Sequence, residues 1–503
     1  QALGSGVQHP AIHLAHGRLL LNLGRGAEAL DALRASLQLD DRQPEAVALM
    51  GKALVALGRH REARQLLDTA LALQPAEAPL REASGMAHMA MGHYEDAARE
   101  FERVLAAEPA RLESYGHLAT VYEQLNRLDD TRRVLEAGLV RRPEQPSLSF
   151  LAARLQRRED PAAARVALLA LRDGRSVTAA LDRDIEYDLG RCADALGQTD
   201  AAMAHFQAAK HKTWDLAKPA PGLEQVFPRQ LASLKRAYGG EHVPVPGEAQ
   251  KPMPAFLVGF PRSGTTLLDT MLGAHPALWV MEEQPTVQAL LDGYLAGGLS
   301  YADDLHRLKP AQLAGLRGLY QRAARAAGWD GAKGLIDKSP FATVHLGLIQ
   351  QVFPAAPVIF LARHPCDVVL SCMMSNFEVN SGTVHFARLD TTVKLYCAVM
   401  ELWQLYRQRL PLHHHLLRYE DLVQQPETEL RRLLDFLGLP WASQVLEHSA
   451  AAARRGRITT PSYDQVSRPL YQDARDRWRR YARYLEPHLP ALAPHIQAFG
   501  YDG

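Results

Sequence analysis

Only four cysteines, Cys192, Cys366, Cys372 and Cys397, are spread over 503 residues. None forms a C-x-x-C pair or a zinc-ligand spacing, which excludes a disulfide framework and a cysteine-based zinc site and points to a reducing, cytoplasmic compartment. No apolar run approaches the roughly 20 residues needed to span a bilayer, and no segment has a secretory-signal pattern, so no membrane partner is expected. Net charge is also small, at +1. With 57 Lys+Arg against 56 Asp+Glu, the chain offers no global electrostatic reason to bind nucleic acid. What remains, 47% apolar and 22% charged residues, is the composition of a globular protein too long for a single core.

The first half repeats itself. Gly24, Gly58, Gly92 and Asn126 follow one another at intervals of 34 residues, each preceded by Leu or Met. Five positions on stand Ala29, Ala63, Ala97 and Thr131, small enough for two helices to approach. Seventeen on stand Asp41, Pro75, Pro109 and Pro143, where a helix must stop. Leu19, Leu20 and Leu23 before the turn and Leu30, Leu33 and Leu37 after it have helical spacing, so each unit reads as helix, turn, helix. The period and the glycine, alanine and proline marks resemble tetratricopeptide repeats over residues 9–146. A weaker unit follows at 160–171, and another is marked by Gly197 and Ala202. Such helix pairs stack into a superhelix whose concave face commonly holds a peptide or protein; bracing the second domain or forming a homodimer contact is the alternative role. The pattern breaks at Pro219, Pro221, Pro244, Pro246, Pro252 and Pro254, around one short helical piece at 229–238. The expected division is therefore repeats over 1–214, linker over 215–253 and a second domain over 254–503.

That second domain opens on a short apolar strand, Ala255-Phe256-Leu257-Val258. It runs into Gly259-Phe260-Pro261-Arg262-Ser263-Gly264-Thr265-Thr266 and then a helical pattern. Strand, glycine-bounded loop and helix make a cradle of backbone N–H groups for an anion. The lysine that follows the second glycine in nucleoside-triphosphate loops is replaced by Thr265. The loop is thus poorly suited to a triphosphate and better suited to a single 5′-phosphate with a short leaving group, with Arg262 as the cation.

The run 260–268 resembles the 5′-phosphosulfate loop of sulfotransferases. The strand 357–361 followed by Ala362-Arg363-His364-Pro365-Cys366-Asp367-Val368-Val369-Leu370-Ser371 resembles that family's 3′-phosphate motif. The likeness covers residues 254–503 and is nearest to tyrosylprotein sulfotransferases and their bacterial relatives with tetratricopeptide repeats. It implies an α/β domain with a central parallel sheet that takes 3′-phosphoadenosine 5′-phosphosulfate (PAPS) as sulfuryl donor, releases 3′-phosphoadenosine 5′-phosphate (PAP) and needs no metal. Residue by residue, it implies Arg262, Ser263, Gly264, Thr265 and Thr266 at the 5′-phosphate, and Arg363 and Ser371 at the 3′-phosphate. It further implies Tyr419 beside the adenosine, Arg477 on the donor phosphates and Ser462 at the reacting end. Glu283, in Met281-Glu282-Glu283, takes the place of the catalytic base, and Lys338, in Ile336-Asp337-Lys338-Ser339-Pro340, that of the lysine on the transferring group. Four residues after Ser371, where animal enzymes carry a second arginine, stands Ser375.

Other clusters carry less. His413-His414-His415 lies on a strand, where neighbours face opposite ways, so no metal is assigned. Met373, Met374, Cys366 and Cys372 read as core. The segment 451–483 holds nine arginines against three aspartates, a solvated face or part of an anion site. Peptidyl tyrosine is the expected acceptor, with a saccharide, lipid or small phenol as alternatives. A nucleotide kinase is disfavoured by the missing lysine, and a non-catalytic scaffold by the joint presence of Arg262, Glu283, Lys338, Arg363 and Ser371.

Overall fold

The 34-residue period is a helix pair. A computed structural model describes residues 9–174, 177–240, 253–302, 304–447 and 475–501, and contacts divide the chain into two units at Val177/Thr178. In the first unit the pairs are α1 (Pro10–Asn22) and α2 (Gly26–Leu39), α3 (Pro44–Ala56) and α4 (His60–Leu73), and α5 (Ala78–Ala90) and α6 (Tyr94–Ala107). They continue with α7 (Leu112–Gln124) and α8 (Leu128–Arg141), then α9 (Pro146–Gln156) and α10 (Pro161–Asp173). At each of the first four turns the residue marked by the period is left-handed, from Gly24 at φ 73° to Asn126 at φ 56°. The next N–H reaches five residues back, as in Arg25 to the Leu20 carbonyl at 2.8 Å and His93 to that of His88 at 2.9 Å, closing the first helix. Ala29, Ala63 and Ala97 are fully buried, as small residues between close helices must be. A second small position pairs with a large one: a Cβ on Gly85 would lie 2.8 Å from the Phe101 ring, and Gly17 and Gly51 meet Leu33 and Leu67 in the same way.

The second unit begins with α11 (Ala179–Ala195), α12 (Thr199–Ala217) and α13 (Leu223–Gly239). The division thus falls earlier than the 1–214 expected. Gly190, Gly197, Ala202 and Phe206 reproduce the offsets of Gly85, Gly92, Ala97 and Phe101, so the pair α11–α12 carries the repeat signature while packing with the second unit. The stretch expected as linker contains α13, whose Phe227, Leu231, Leu234 and Tyr238 are buried in the same core as the sheet residues Phe256, Val258 and Phe360. The short helical piece expected at 229–238 is the C-terminal part of this helix, which starts earlier because Pro228 is accommodated within it.

Five parallel strands form the sheet: β1 (Ala255–Gly259), β2 (Leu278–Glu282), β3 (Gly334–Lys338), β4 (Val358–Ala362) and β5 (His414–Arg418), in the order β2-β3-β1-β4-β5. Helices α14 (Thr265–Gly273), α15 (Thr286–Ala296), α16 (Pro310–Ala326), α17 (Leu346–Val352), α18 (Pro365–Met373) and α19 (Leu389–Arg409) connect or cover them. With β1 central, the chain crosses to opposite sides after it, and the carboxyl ends of the strands open onto a switch-point crevice where such sheets place ligands. At the start of β5, His413, just before the strand, and His415 pack against Phe436 while His414 meets Trp403, the alternation expected of a strand. Among the described residues no helix is long and apolar enough to cross a membrane.

Tyr238 shows how tightly α13 is joined to the sheet unit: its hydroxyl would lie 2.2 Å from a Cβ on Gly347 of α17, and its ring meets Tyr406 of α19 edge-on at 4.9 Å. A fragment of residues 178–503 should therefore melt cooperatively. One of residues 254–503 should not, since losing each large buried side chain costs about 2–5 kcal/mol against a total stability of about 5–15 kcal/mol. Thermal circular dichroism of the two fragments checks this, and a cooperative melt of 254–503 would contradict it.

Candidate functional site

The crevice is built from the central strand outward. Gly259 ends β1 so close to β4 that a Cβ would lie 2.6 Å from the Leu361 carbonyl oxygen. The Thr343 hydroxyl holds its peptide on both sides, 3.0 Å from its N–H and 2.7 Å from its carbonyl. The loop then turns through Arg262 at φ 72° and Gly264 at φ 98°. Ser263, Thr265 and Thr266 are buried at the start of α14, where N–H groups lacking helical partners gather. Gly264 is needed for space as well as conformation, because a Cβ would lie 2.4 Å from Cδ2 of Tyr419.

Beside this cradle lies a charge cluster. Lys338, the last residue of β3, is wholly buried, and its Nζ stands 2.7 Å from Glu283 Oε1, 3.3 Å from Glu282 Oε1 and 3.5 Å from Asp269 Oδ2. Burial by itself lowers its pKa; Asp269, Glu283 and Glu282 together more than reverse that and hold the ammonium above the ordinary lysine range. Glu283 is the exposed member, with 42% of its side chain accessible against 9% for Glu282 and 1% for Asp269. Its backbone is left-handed at φ 45°, and its N–H bonds the Lys338 carbonyl at 2.8 Å. The strand end thus turns one carboxylate outward and one inward.

On the other side of β1, the end of β4 and α18 supply Arg363 and Ser371. Arg262 Nε donates to Ser371 Oγ at 3.0 Å, and Arg363 donates to the Arg262 carbonyl at 3.2 Å. The Arg363 guanidinium lies 4.9 Å from the centre of the Tyr419 ring. Arg262, Gly264, Arg363, Ser371 and Tyr419 are therefore brought together in one mutually touching group. Ser375 is turned inward, its hydroxyl donating to the Ser371 carbonyl at 2.8 Å.

Arg477 makes its ion pair elsewhere. Its guanidinium is paired with Asp194 at the end of α11, 2.7 Å away, and Tyr481 donates to the same carboxylate at 2.7 Å. Next to it, the Trp478 ring stacks on His364 at 5.0 Å, and the main-chain N–H of Trp478 donates to Asp367 at 2.9 Å. Ser462 and most of the arginine-rich segment lie outside the described residues. Sequence reasoning passed over Asp269, Thr343 and Glu420, which accepts the main-chain N–H of His364 at 3.0 Å. Asp269 had a signal: a lone acid among Thr265-Thr266-Leu267-Leu268 and Thr270-Met271-Leu272 must find a cation if buried.

Taken together, these units are a tetratricopeptide solenoid and an α/β domain with a phosphate-type loop at its sheet switch point. The sulfotransferase family model matches residues 254–443 and the tetratricopeptide-repeat model residues 8–84 and 88–155; the chain carries tetratricopeptide repeats followed by a sulfotransferase-family domain. An uncharacterized protein of Aquifex aeolicus is 32% identical over 48% of this chain and 32% of its own length, so this chain spans about a third of that relative. Protein-tyrosine sulfotransferase 1 of Danio rerio is 28% identical over 52% of this chain and 76% of its own. The human protein-tyrosine sulfotransferase 1 is 28% identical over 50% and 70%. The solved sulfotransferase domain from the curacin biosynthetic pathway is 20% identical over 47% of this chain and 99% of its own, with a TM-score of 0.28, too low to bear on the fold.

Two substitutions test this geometry. Gly264→Ala combines a left-handed φ with a Tyr419 clash and should weaken binding of an adenosine 5′-phosphate by more than tenfold in calorimetry, about 1.4 kcal/mol or more; unchanged affinity would contradict the cradle. Asp337, beside Lys338, is buried and accepts from Thr286 at 2.6 Å and Tyr320 at 2.8 Å, both at the same oxygen. Burial raises its pKa to about 6, against those hydrogen bonds. A carboxyl raised above its unfolded value stabilises the fold below about pH 4 and loses that contribution as pH rises through 6. Asp337→Asn, which keeps the acceptor, should match the parent Tm at pH 4 and exceed it at pH 8; a lower Tm at pH 8 would contradict this.

Proposed function

We propose that this chain transfers a sulfuryl group from PAPS to an acceptor hydroxyl, with a peptidyl tyrosine as the acceptor. The observation that carries the reading is the contact of Lys338 with Glu283 at 2.7 Å, beside a phosphate-type loop that lacks a lysine of its own. Arg262 and the N–H groups of Ser263, Gly264, Thr265 and Thr266 hold the 5′-phosphate; Arg363 and Ser371 hold the 3′-phosphate; Tyr419 lies along the adenosine. PAPS supplies the sulfuryl group and an already stabilised leaving phosphate.

The chain's own residues supply the proton transfer and the charge. Glu283, the exposed carboxylate of the cluster, removes the acceptor proton as the hydroxyl oxygen bonds to sulfur and the bond from sulfur to the phosphate oxygen breaks. Protonation removes the charge by which Glu283 holds Lys338. The ammonium, still anchored by Asp269 and Glu282, is then free to meet the negative charge appearing on the leaving PAP. Arg262 shares that task, so positioned cations do the work that magnesium does in many phosphoryl transfers.

Support for a tyrosine acceptor is the similarity to protein-tyrosine sulfotransferases together with a solenoid of the kind that commonly holds peptides. Glu283→Gln keeps shape and hydrogen bonding but removes basicity. It should lower kcat with radiolabelled PAPS and a tyrosine peptide by about 10²–10⁴-fold, while Glu282→Gln has a milder effect. Near-normal turnover in Glu283→Gln would remove Glu283 as base. Saccharide and small-phenol acceptors run in parallel decide the acceptor class.

A further inference from the structure

Helix α12 carries a lysine where the repeats carry leucine. Thirteen residues after each turn mark stand Leu37, Leu71, Leu105 and Leu139; thirteen after Gly197 stands Lys210. The side chain is not turned to water. Lys210 is 5% exposed, and its ammonium donates to the main-chain carbonyls of Ser375 at 2.7 Å and Cys372 at 3.1 Å, with the Phe377 ring 5.7 Å away. Those carbonyls lie at the C-terminal end of α18, the negative end of its dipole. Burying an ammonium is strongly unfavourable, and here burial lowers the pKa to about 7. A leucine, the repeat's own residue, would fill the position without that penalty.

The end of α18 gripped by Lys210 is the end that meets the phosphate loop. Ser371 is in its last turn and takes the Arg262 hydrogen bond. Cys372 Sγ approaches the Pro261 carbonyl at 3.5 Å, and Ser375 bonds back to the Ser371 carbonyl. A shift of this turn would carry Ser371 away from Arg262 while leaving the N-terminus of α14 where it is. We propose that Lys210 is a positioning residue of the sulfuryl-donor site, through which a repeat-patterned helix holds the last turn of α18, and with it Ser371, in register to read the 3′-phosphate. The inference rests on the donor reading proposed above.

Calorimetry of the full chain with PAP and with adenosine 5′-phosphate, which lacks the 3′-phosphate, separates the two. The ratio of the two affinities is unaffected by the fraction of protein correctly folded, so a merely structural role would not move it. In Lys210→Leu the PAP preference should fall by about tenfold, the scale of hydrogen bonds from a charged group, with adenosine 5′-phosphate affinity within about twofold of the parent. A parent-like ratio in Lys210→Leu overturns the inference and leaves the donor reading standing. A parent protein with no preference for PAP overturns the donor reading, and the inference with it. If Lys210→Leu does not fold, Lys210→Gln, which keeps an N–H donor without the charge, decides by the same ratio: a partial loss supports the inference and an unchanged ratio overturns it.

Discussion

A fully buried ammonium ties the second unit together. Lys338 ends β3 in register with Leu257 of β1 and Glu282 of β2, and a charge in that place requires opposite charges around it. Glu282 arrives from the neighbouring strand, Asp269 from the helix that follows the phosphate-type loop, and Glu283 from the turn after β2. Three elements therefore converge on one nitrogen. Removing one partner of such a cluster typically costs about 3–5 kcal/mol, because the remaining charge is left buried without compensation. The loop, the two strand ends and the outward carboxylate hold their relative places for this reason, and the proposed chemistry uses the same contact.

A second convergence faces it across β1. Arg262 reaches Ser371, Arg363 reaches the Arg262 carbonyl, and Tyr419 fills the space that a side chain at Gly264 would need. The two clusters divide the proposed labour. One handles proton and leaving charge; the other distinguishes the nucleotide. Lys210 extends the second cluster backward into α12, so a helix pair built on the repeat plan becomes part of the domain it precedes.

Much of this was readable from the residues, and the exceptions have a common cause. The repeats were legible because Gly24, Gly58 and Gly92 each occupy a left-handed turn at a fixed interval, a purely local requirement. The loop was legible because an apolar strand, two glycines and a helix follow one another directly. The contact division falls before the boundary expected at 214 because Gly190, Gly197, Ala202 and Phe206 satisfy the local rules of a repeat while their helices pack with the second unit, and periodicity does not report where a helix docks. The helical piece at 229–238 was legible, but not its docking, since Tyr238 finds its partners at Gly347 and Tyr406. Arg477, expected on the donor phosphates, pairs in the structure with Asp194, a carboxylate 283 positions away. Partners brought together only by the fold are what a pattern along the chain does not contain.

The central claim is that the two clusters form one site that moves sulfuryl to a hydroxyl. Incubating the full chain with radiolabelled PAPS and tyrosine-peptide, saccharide and phenol acceptors, and following both label transfer and PAP release, tests it most directly. The account predicts label on a hydroxyl acceptor, foremost the tyrosine peptide, with stoichiometric PAP. Absence of transfer to every acceptor class, from protein that also fails to bind PAP, would contradict it.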